Sequence, residues 1–179
     1  MVRFYSYERG HLMSFVADIL DWDEASVRVK DWQREGWYVG FTNGCFDILH
    51  VGHIRYLRRA KKLGDVLVIG LNTDRSVRKI KGDQRPVVSE KERAEILAGL
   101  EFVDFITLFD EIDPFRLIQI LKPHVLAKGA DWPKNQIIGR QIVEGYGGRV
   151  VRIPLIPRSS STGIIEKIIR VYCRHRKKS

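Results

Sequence analysis

Thr42-Asn43-Gly44-Cys45-Phe46-Asp47-Ile48-Leu49-His50-Val51-Gly52-His53 stands between a short β-prone run, residues 37–42, and a segment of helical period, residues 51–63. In that segment apolar residues recur at Val51, Ile54, Leu57 and Ala60, basic residues fill the gaps and Gly64 ends it, which predicts an amphipathic helix. A strand that turns directly into a helix opens a βα unit, and the alternation continues downstream. Residues 66–71 are continuously apolar over a strand's length, the pattern of a strand buried on both faces of a parallel sheet. Ser89 with Glu92 makes a capping box before a helix through Leu100. Residues 103–109 form the next strand, and Asp113 with Pro114 opens another helix, because proline fits the first helical turn. Residues 124–128 read as a strand, 136–146 as a helix closed by Gly147 and Gly148, and 149–153 as a last strand. Ser161 or Thr162 then caps a final helix through Tyr172.

This order predicts an α/β fold, a Rossmann-like open parallel sheet with helices on both faces and right-handed crossovers. Residues 1–36 precede it. Their segments 11–20, with Leu12, Phe15, Val16, Ile19 and Leu20 at helical spacing, and 25–32 predict a short N-terminal helical extension to a domain of residues 37–179. That apolar stripe would cover the domain or a second subunit, so a homodimer is one expected partner. With 179 residues the chain suits one domain, needing no disulfide or zinc staple. Lys and Arg number 31 against 22 Asp and Glu, a net charge of +9, which favours an anionic partner without naming it. The basic run from Arg55 to Lys62 reads as a solvated helix face, and Arg174, Arg176, Lys177 and Lys178 as a basic tail. Cys45 and Cys173 lie far apart, which suits a reducing compartment and offers no structural zinc site. The longest apolar stretch, residues 66–71, is too short to span a bilayer, and no signal-peptide cleavage site follows the N-terminus. A cytoplasmic protein with no membrane partner is expected.

In such sheets ligands bind outside the carboxyl ends of the strands, where strand order reverses, and this points to the opening loop. Gly44 permits a tight turn, and Gly52 removes a side chain where a ligand could approach the helix backbone. His50 and His53, three residues apart at the helix mouth, can share the space of its free N–H groups, which with the positive end of the dipole make an anion site. One histidine alone is more often structural. Two histidines and two glycines at this junction favour phosphate chemistry. No third histidine or carboxylate cluster stands nearby beyond Asp47, so no metal site is assigned, and Cys45 has no adjacent base with which to form a nucleophilic dyad.

Gly44-x-Phe46-Asp47-x-x-His50-x-Gly52-His53 resembles the signature of the nucleotidyltransferase superfamily whose HxGH motif binds the phosphates of ATP or CTP. Further segments agree in order. Asn72-Thr73-Asp74 follows the second strand, Lys81-Gly82-Asp83-Gln84-Arg85-Pro86 looks like a mobile basic loop, Lys128-Gly129-Ala130-Asp131-Trp132 follows the fourth strand, and Ser160-Ser161-Thr162-Gly163-Ile164 is similar to the second phosphate motif. Within the superfamily, residues 41–47 and Lys81-Gly82 with Arg85-Pro86 look most like the D-glycero-β-D-manno-heptose 1-phosphate adenylyltransferases, here in the stand-alone form without a kinase domain. Ala130, where those enzymes usually have glycine, and residues 1–36 depart from the pattern.

The resemblance implies transfer of AMP from ATP to a sugar 1-phosphate with release of pyrophosphate. His50, His53 and Lys81 would be catalytic. Thr42, Asn43, Gly44, Cys45, Phe46, Asp47, Gly52, Arg85, Arg93, Lys128, Gly129, Asp131, Ser160, Ser161 and Thr162 would hold the nucleotide. Mg²⁺ would ride on the phosphates with Asp47 as the one candidate carboxylate, and Trp132 could stack on the base. Rival readings are a CTP-dependent glycerol-3-phosphate or phosphoalcohol cytidylyltransferase, an FMN adenylyltransferase and a nucleotide-binding module without catalysis. Nucleic acid is a further rival partner, suggested by the charge and by the similarity of His50-Val51-Gly52-His53 to class I aminoacyl-tRNA synthetases, but the chain is too short for a synthetase and has no Lys-Met-Ser-Lys-Ser segment.

Overall fold

The computed structural model describes residues 16–157 and 159–173. Six strands, β1 (Asp18–Leu20), β2 (Val39–Gly44), β3 (Val66–Asn72), β4 (Phe105–Phe109), β5 (Val125–Gly129) and β6 (Arg149–Ile153), form one sheet. Their order is β1-β4-β3-β2-β5-β6, and every neighbouring pair is parallel. From β2 the chain steps to β3 and β4 on one side, then returns to β5 on the other. The order therefore reverses at β2 and β5, and a crevice opens at their carboxyl ends.

Alternation along the strands feeds two apolar layers. On one face Leu67, Ile69 and Leu71 of β3 pack with Tyr56, Leu57 and Ala60 of α2 (Val51–Lys61) and Ala94, Leu97 and Ala98 of α4 (Glu90–Ala98). On the other, Val66 and Val68 meet Val39 and Phe41 of β2. They pack with Ala25 and Val29 of α1 (Trp22–Arg34), Leu117 and Ile118 of α5 (Phe115–Leu121) and Val143 of α6 (Arg140–Gly145). Among the described residues no helix is long and apolar enough to cross a membrane.

The chain departs from the sequence expectations in four places. The helix expected over 11–20 begins outside the described residues, and its end is strand β1, in register with β4 from Asp18 opposite Phe105 to Leu20 opposite Thr107. The helical spacing misled because three residues carry no clear period of their own and the pairing that makes them a strand comes from β4, far along the chain, while Asp21 caps the following helix, accepting from Glu24 N as the Glu24 carboxylate accepts from Asp21 N. Leu12 and Phe15 of the expected stripe, and the basic tail, also lie outside the described residues. The loop expected over 81–86 lies outside any helix but for Lys81, which ends an unexpected helix, α3 (Asp74–Lys81), capped by Thr73 and followed by Gly82 at φ +90°. The apolar signal of α3 is only Val77 and Ile80. The helix expected over 136–146 is a 3₁₀ turn, Lys134–Gln136, followed by α6 after Gly139 at φ +85°. The last helix, α7 (Ser161–Ile168), is capped by Ser160, one residue before the expected cap, and widens into a π turn over Ile169–Cys173.

Candidate active site

The loop after β2 turns sharply into α2. Phe46 and Ile48 take positive φ, 44° and 40°, a conformation that costs a side-chain-bearing residue energy and that buried contacts hold in place here. Phe46 is 6% exposed, and its ring meets that of His53 edge-on at 5.3 Å. Asp47 is 2% exposed, and its carboxylate accepts from Val87 N at 2.9 Å, Val88 N at 3.0 Å and Arg85 Nε. Burial pushes this carboxyl up, but the Val88 and Val87 N–H groups and the Arg85 guanidinium outweigh it and hold it below the usual carboxylate range.

His50 caps α2. Its Nδ1 accepts from Gly52 N at 3.1 Å, and Ser159 Oγ stands 3.2 Å from the same nitrogen and 3.2 Å from Gly52 N. A Cβ on Gly52 would come within 2.9 Å of His50 Nδ1 and of Ser159 Oγ, so only glycine fits this three-way contact. The accepting role at Nδ1 puts the proton of a neutral His50 on Nε2. His53 stacks on His50 with ring centroids 3.9 Å apart, and its Nδ1 is buried without a partner. Burial, His50 and Lys81 together hold the His53 imidazole down to about 4, and burial also lowers His50. The pair is therefore neutral at pH 7, with N–H donors rather than charges to offer.

These groups line a cavity of about 350 Å³ at the carboxyl ends of β2 and β5. Of the expected site residues, Asn43, Gly44, Cys45, Phe46, Asp47, His50, Gly52, His53, Lys81, Lys128, Gly129, Asp131, Ser160, Ser161 and Thr162 line it. Cys45 lies 4.0 Å from Asn72 Oδ1, and burial raises its thiol. Ser160 Oγ accepts from Gly163 N at 3.0 Å, and Ser161 Oγ donates to the carbonyls of Asp47 and Ile48 at 3.4 Å, tying α7 to the loop after β2.

Three expected nucleotide contacts lie elsewhere. Thr42 is fully buried, its hydroxyl 2.7 Å from Tyr56 Oη. Arg85 is turned onto Asp47, with its second terminal nitrogen buried and unpartnered. Arg93 is 1% exposed and donates to Val88 O at 3.0 Å, Cys45 O at 2.5 Å and Asp74 Oδ1 at 2.7 Å, so each of its three nitrogens is engaged within the protein. Five more residues, Tyr56, Trp132, Leu155, Ile156 and Ser159, line the cavity, and of these only Trp132 figured in the sequence reading. Tyr56 lies one helical turn beyond His53, so the spacing could have found it. Ser159 carries no local signal.

The cytidylyltransferase-like family matches residues 41–167. Among curated proteins, the bifunctional protein HldE of Geobacter metallireducens is 49% identical over 156 residues, which are 87% of this chain and 32% of that protein. HldE of Geotalea uraniireducens is 50% identical over 152 residues, 85% of this chain and 31% of that protein. The chain thus spans less than a third of the length of these curated relatives. A solved lipopolysaccharide core biosynthesis protein from Thermoplasma volcanium is 30% identical with a TM-score of 0.56, over 68% of this chain and 98% of its own. Pantoate-β-alanine ligase from Francisella tularensis, at 17% identity and a TM-score of 0.56 over 86% of this chain and 79% of its own, shares the fold.

Proposed function

The chain belongs to the cytidylyltransferase-like family, and from that premise we propose that it joins the AMP moiety of ATP to a sugar 1-phosphate, D-glycero-D-manno-heptose 1-phosphate, releasing pyrophosphate and an ADP-sugar. The observation that carries the reading is the neutral His50–His53 pair at the helix mouth, in a cavity that also gathers Lys81, Lys128 and the capped start of α7. Fixed donors around a small cavity suit phosphoryl transfer, in which catalysis is mainly positioning and stabilisation of charge on phosphoryl oxygens.

An oxygen of the sugar phosphate attacks the α-phosphorus in line, a P–O bond forms, and the bond to the bridging oxygen of pyrophosphate breaks with its electron pair. No covalent enzyme intermediate is needed. His50 donates from Nε2, His53 donates beside it, and Lys81 at the cavity rim neutralises charge on the phosphates. Mg²⁺, when bound, would neutralise part of the charge on the phosphates. Asp47 does not suit it, because both carboxylate oxygens already serve Arg85, Val87 and Val88. The nucleotide and water would supply most of its ligands, as is usual for this ion.

The choice of a heptose phosphate rests on the resemblance of residues 41–47, 81–86 and 128–129. It is in keeping with a lipopolysaccharide core biosynthesis protein among the relatives. The test offers heptose 1-phosphate, glycerol 3-phosphate and FMN separately with Mg²⁺ and each nucleoside triphosphate, and follows pyrophosphate. Release with ATP and the heptose phosphate alone is expected. Release only with CTP and glycerol 3-phosphate would overturn the substrate choice and leave nucleotidyl transfer standing.

A further inference from the structure

Ser159 lies between β6 and α7, next to the Ser160 cap, and lines the cavity. Its hydroxyl closes a triangle with two groups at the mouth of α2. Ser159 Oγ is 3.2 Å from Gly52 N and 3.2 Å from His50 Nδ1, and those two nitrogens are 3.1 Å apart. The count of protons in this triangle fixes what each member does. Gly52 supplies one proton, held by the backbone, and Nδ1 accepts from it, so Nδ1 carries none of its own. A hydroxyl has one proton and two lone pairs. One lone pair of Ser159 takes the Gly52 N–H, and its proton goes to Nδ1, so every proton in the triangle meets an acceptor. Were the proton of His50 on Nδ1 instead, it would face the Gly52 N–H across 3.1 Å.

We propose that Ser159 is a positioning residue for the transfer reaction, whose hydroxyl donates to His50 Nδ1 and so keeps the one N–H of that ring, at Nε2, for a phosphoryl oxygen. This rests on the reading of His50 as a donor given above. Ser159 does not itself serve the phosphates, since phosphoryl oxygens need donors and its single proton is spent on Nδ1.

The need for a second donor follows from the packing of the ring. Stacking on His53 at 3.9 Å holds the plane of the His50 ring, but a half-turn within that plane would exchange Nδ1 for a C–H without disturbing the stack. Only hydrogen bonds at Nδ1 tell the two edges apart, and Ser159 adds one to that of Gly52. The segment that carries Ser159 is itself fastened to the loop after β2. Ser161 Oγ donates to the carbonyls of Asp47 and Ile48 at 3.4 Å, before His50 in the chain, while Ser159 meets His50 and Gly52 beyond them. The start of α7 and the mouth of α2 are thus held together by two serines, and the ring between them takes one orientation.

The test joins a spectrum to kinetics. In the full chain with isotope-labelled histidine, long-range proton–nitrogen NMR correlation, assigned with His50→Gln, should show His50 protonated at Nε2 and its Nδ1 resonance displaced as in a nitrogen that accepts hydrogen bonds. Ser159→Ala should move that resonance toward the position of a bare, unbonded nitrogen. In pyrophosphate release from ATP and heptose 1-phosphate, the same variant should lose about 3- to 10-fold in kcat, the scale of one neutral hydrogen bond, with KM for ATP changed by less than about twofold. Added to His50→Gln it should cost nothing further, because Ser159 acts only through that ring. An Nδ1 resonance unmoved in Ser159→Ala, a raised KM at unchanged kcat, or a further loss in the His50→Gln background overturns the positioning role and leaves nucleotidyl transfer standing. Full turnover by His50→Gln, or none by the natural chain, overturns the donor reading of His50 and the role of Ser159 with it.

Discussion

At His50 the hydrogen-bond pattern decides the chemistry, since an Nδ1 that accepts from Gly52 N leaves Nε2 as the donor. His53 adds a second neutral ring that cannot easily become charged against the first. A preorganised donor of this kind acts mostly on the transition state. His53→Ala should therefore lower kcat by about 10²- to 10³-fold with little change in nucleotide KM. Near-normal turnover would remove the assignment. The same imidazole carries a stability consequence. Its folded pKa is about 4 against the ordinary 6.5, so between those values the unfolded chain takes up a proton that the folded one refuses. Stability is fully present above pH 6.5 and falls as pH drops toward 4. His50 and His124, lowered by burial, act in the same direction. Thermal melts between pH 7 and 4.5 should show Tm falling, and His53→Gln should flatten the slope. The histidines and glycines of this site were legible because their types and spacing carry the chemistry locally. The three protein partners of Arg93 were not, because two of them come from residues 19 and 48 positions away, and nothing in a linear sequence distinguishes a buried guanidinium from an exposed one.

Between elements the buried arginine is a fastener. Arg93 on α4 reaches the loop after β2 through Cys45 O, the segment before α4 through Val88 O, and the first turn of α3 through Asp74. Asp47 draws the same segment inward by Arg85, Val87 and Val88. Two of the residues expected on the nucleotide thus shape the wall from behind. Arg93→Met would leave the Asp74 carboxylate and two carbonyls without their donor, a change that costs about 3 kcal/mol or more when a buried ion pair is broken. Arg93→Lys should fare little better, because an ammonium lacks the planar fork that serves three acceptors. Urea unfolding of both variants checks this, and a loss under about 1 kcal/mol would show that the fork is not a fastener. The capping box at Ser89 and Glu92 marked α4 in the sequence, and the structure has it. Helix α3 escaped notice because its basic residues, Arg75, Arg78, Lys79 and Lys81, outnumber its apolar ones, and its start depends on a Thr73 cap.

Over the whole molecule, βα alternation predicted an open parallel sheet, and the chain forms one, with most of the expected site residues around a cavity at the carboxyl ends of its strands. The role of the N-terminal residues needed coordinates. Parallel pairing of three residues, Asp18–Leu20, leaves almost no pattern to read, and its partner β4 lies more than 80 residues downstream. Helix α1 packs Ala25 and Val29, both fully buried, against Phe105, Leu117 and Ile118, and the Trp22 indole donates to Leu108 O at 2.7 Å. None of the cavity-lining residues precedes Asn43. A chain starting at residue 37 should therefore keep its affinity for ATP at low temperature while losing stability. Burial of valine and parts of the tryptophans is worth about 1.5–3 kcal/mol per fully buried large side chain, so removing α1 should cost about 3–5 kcal/mol. For a domain of this size that is a fall in Tm of about 6–20 °C. A smaller version of the fold does close by itself, since 68% of this chain spans 98% of the Thermoplasma relative. Circular dichroism melts of the truncated and full chains, each with and without ATP, give the comparison. A truncated chain unfolded at every temperature would make α1 and β1 part of the indispensable core, and one with unchanged Tm would make them a covering that the sheet can shed.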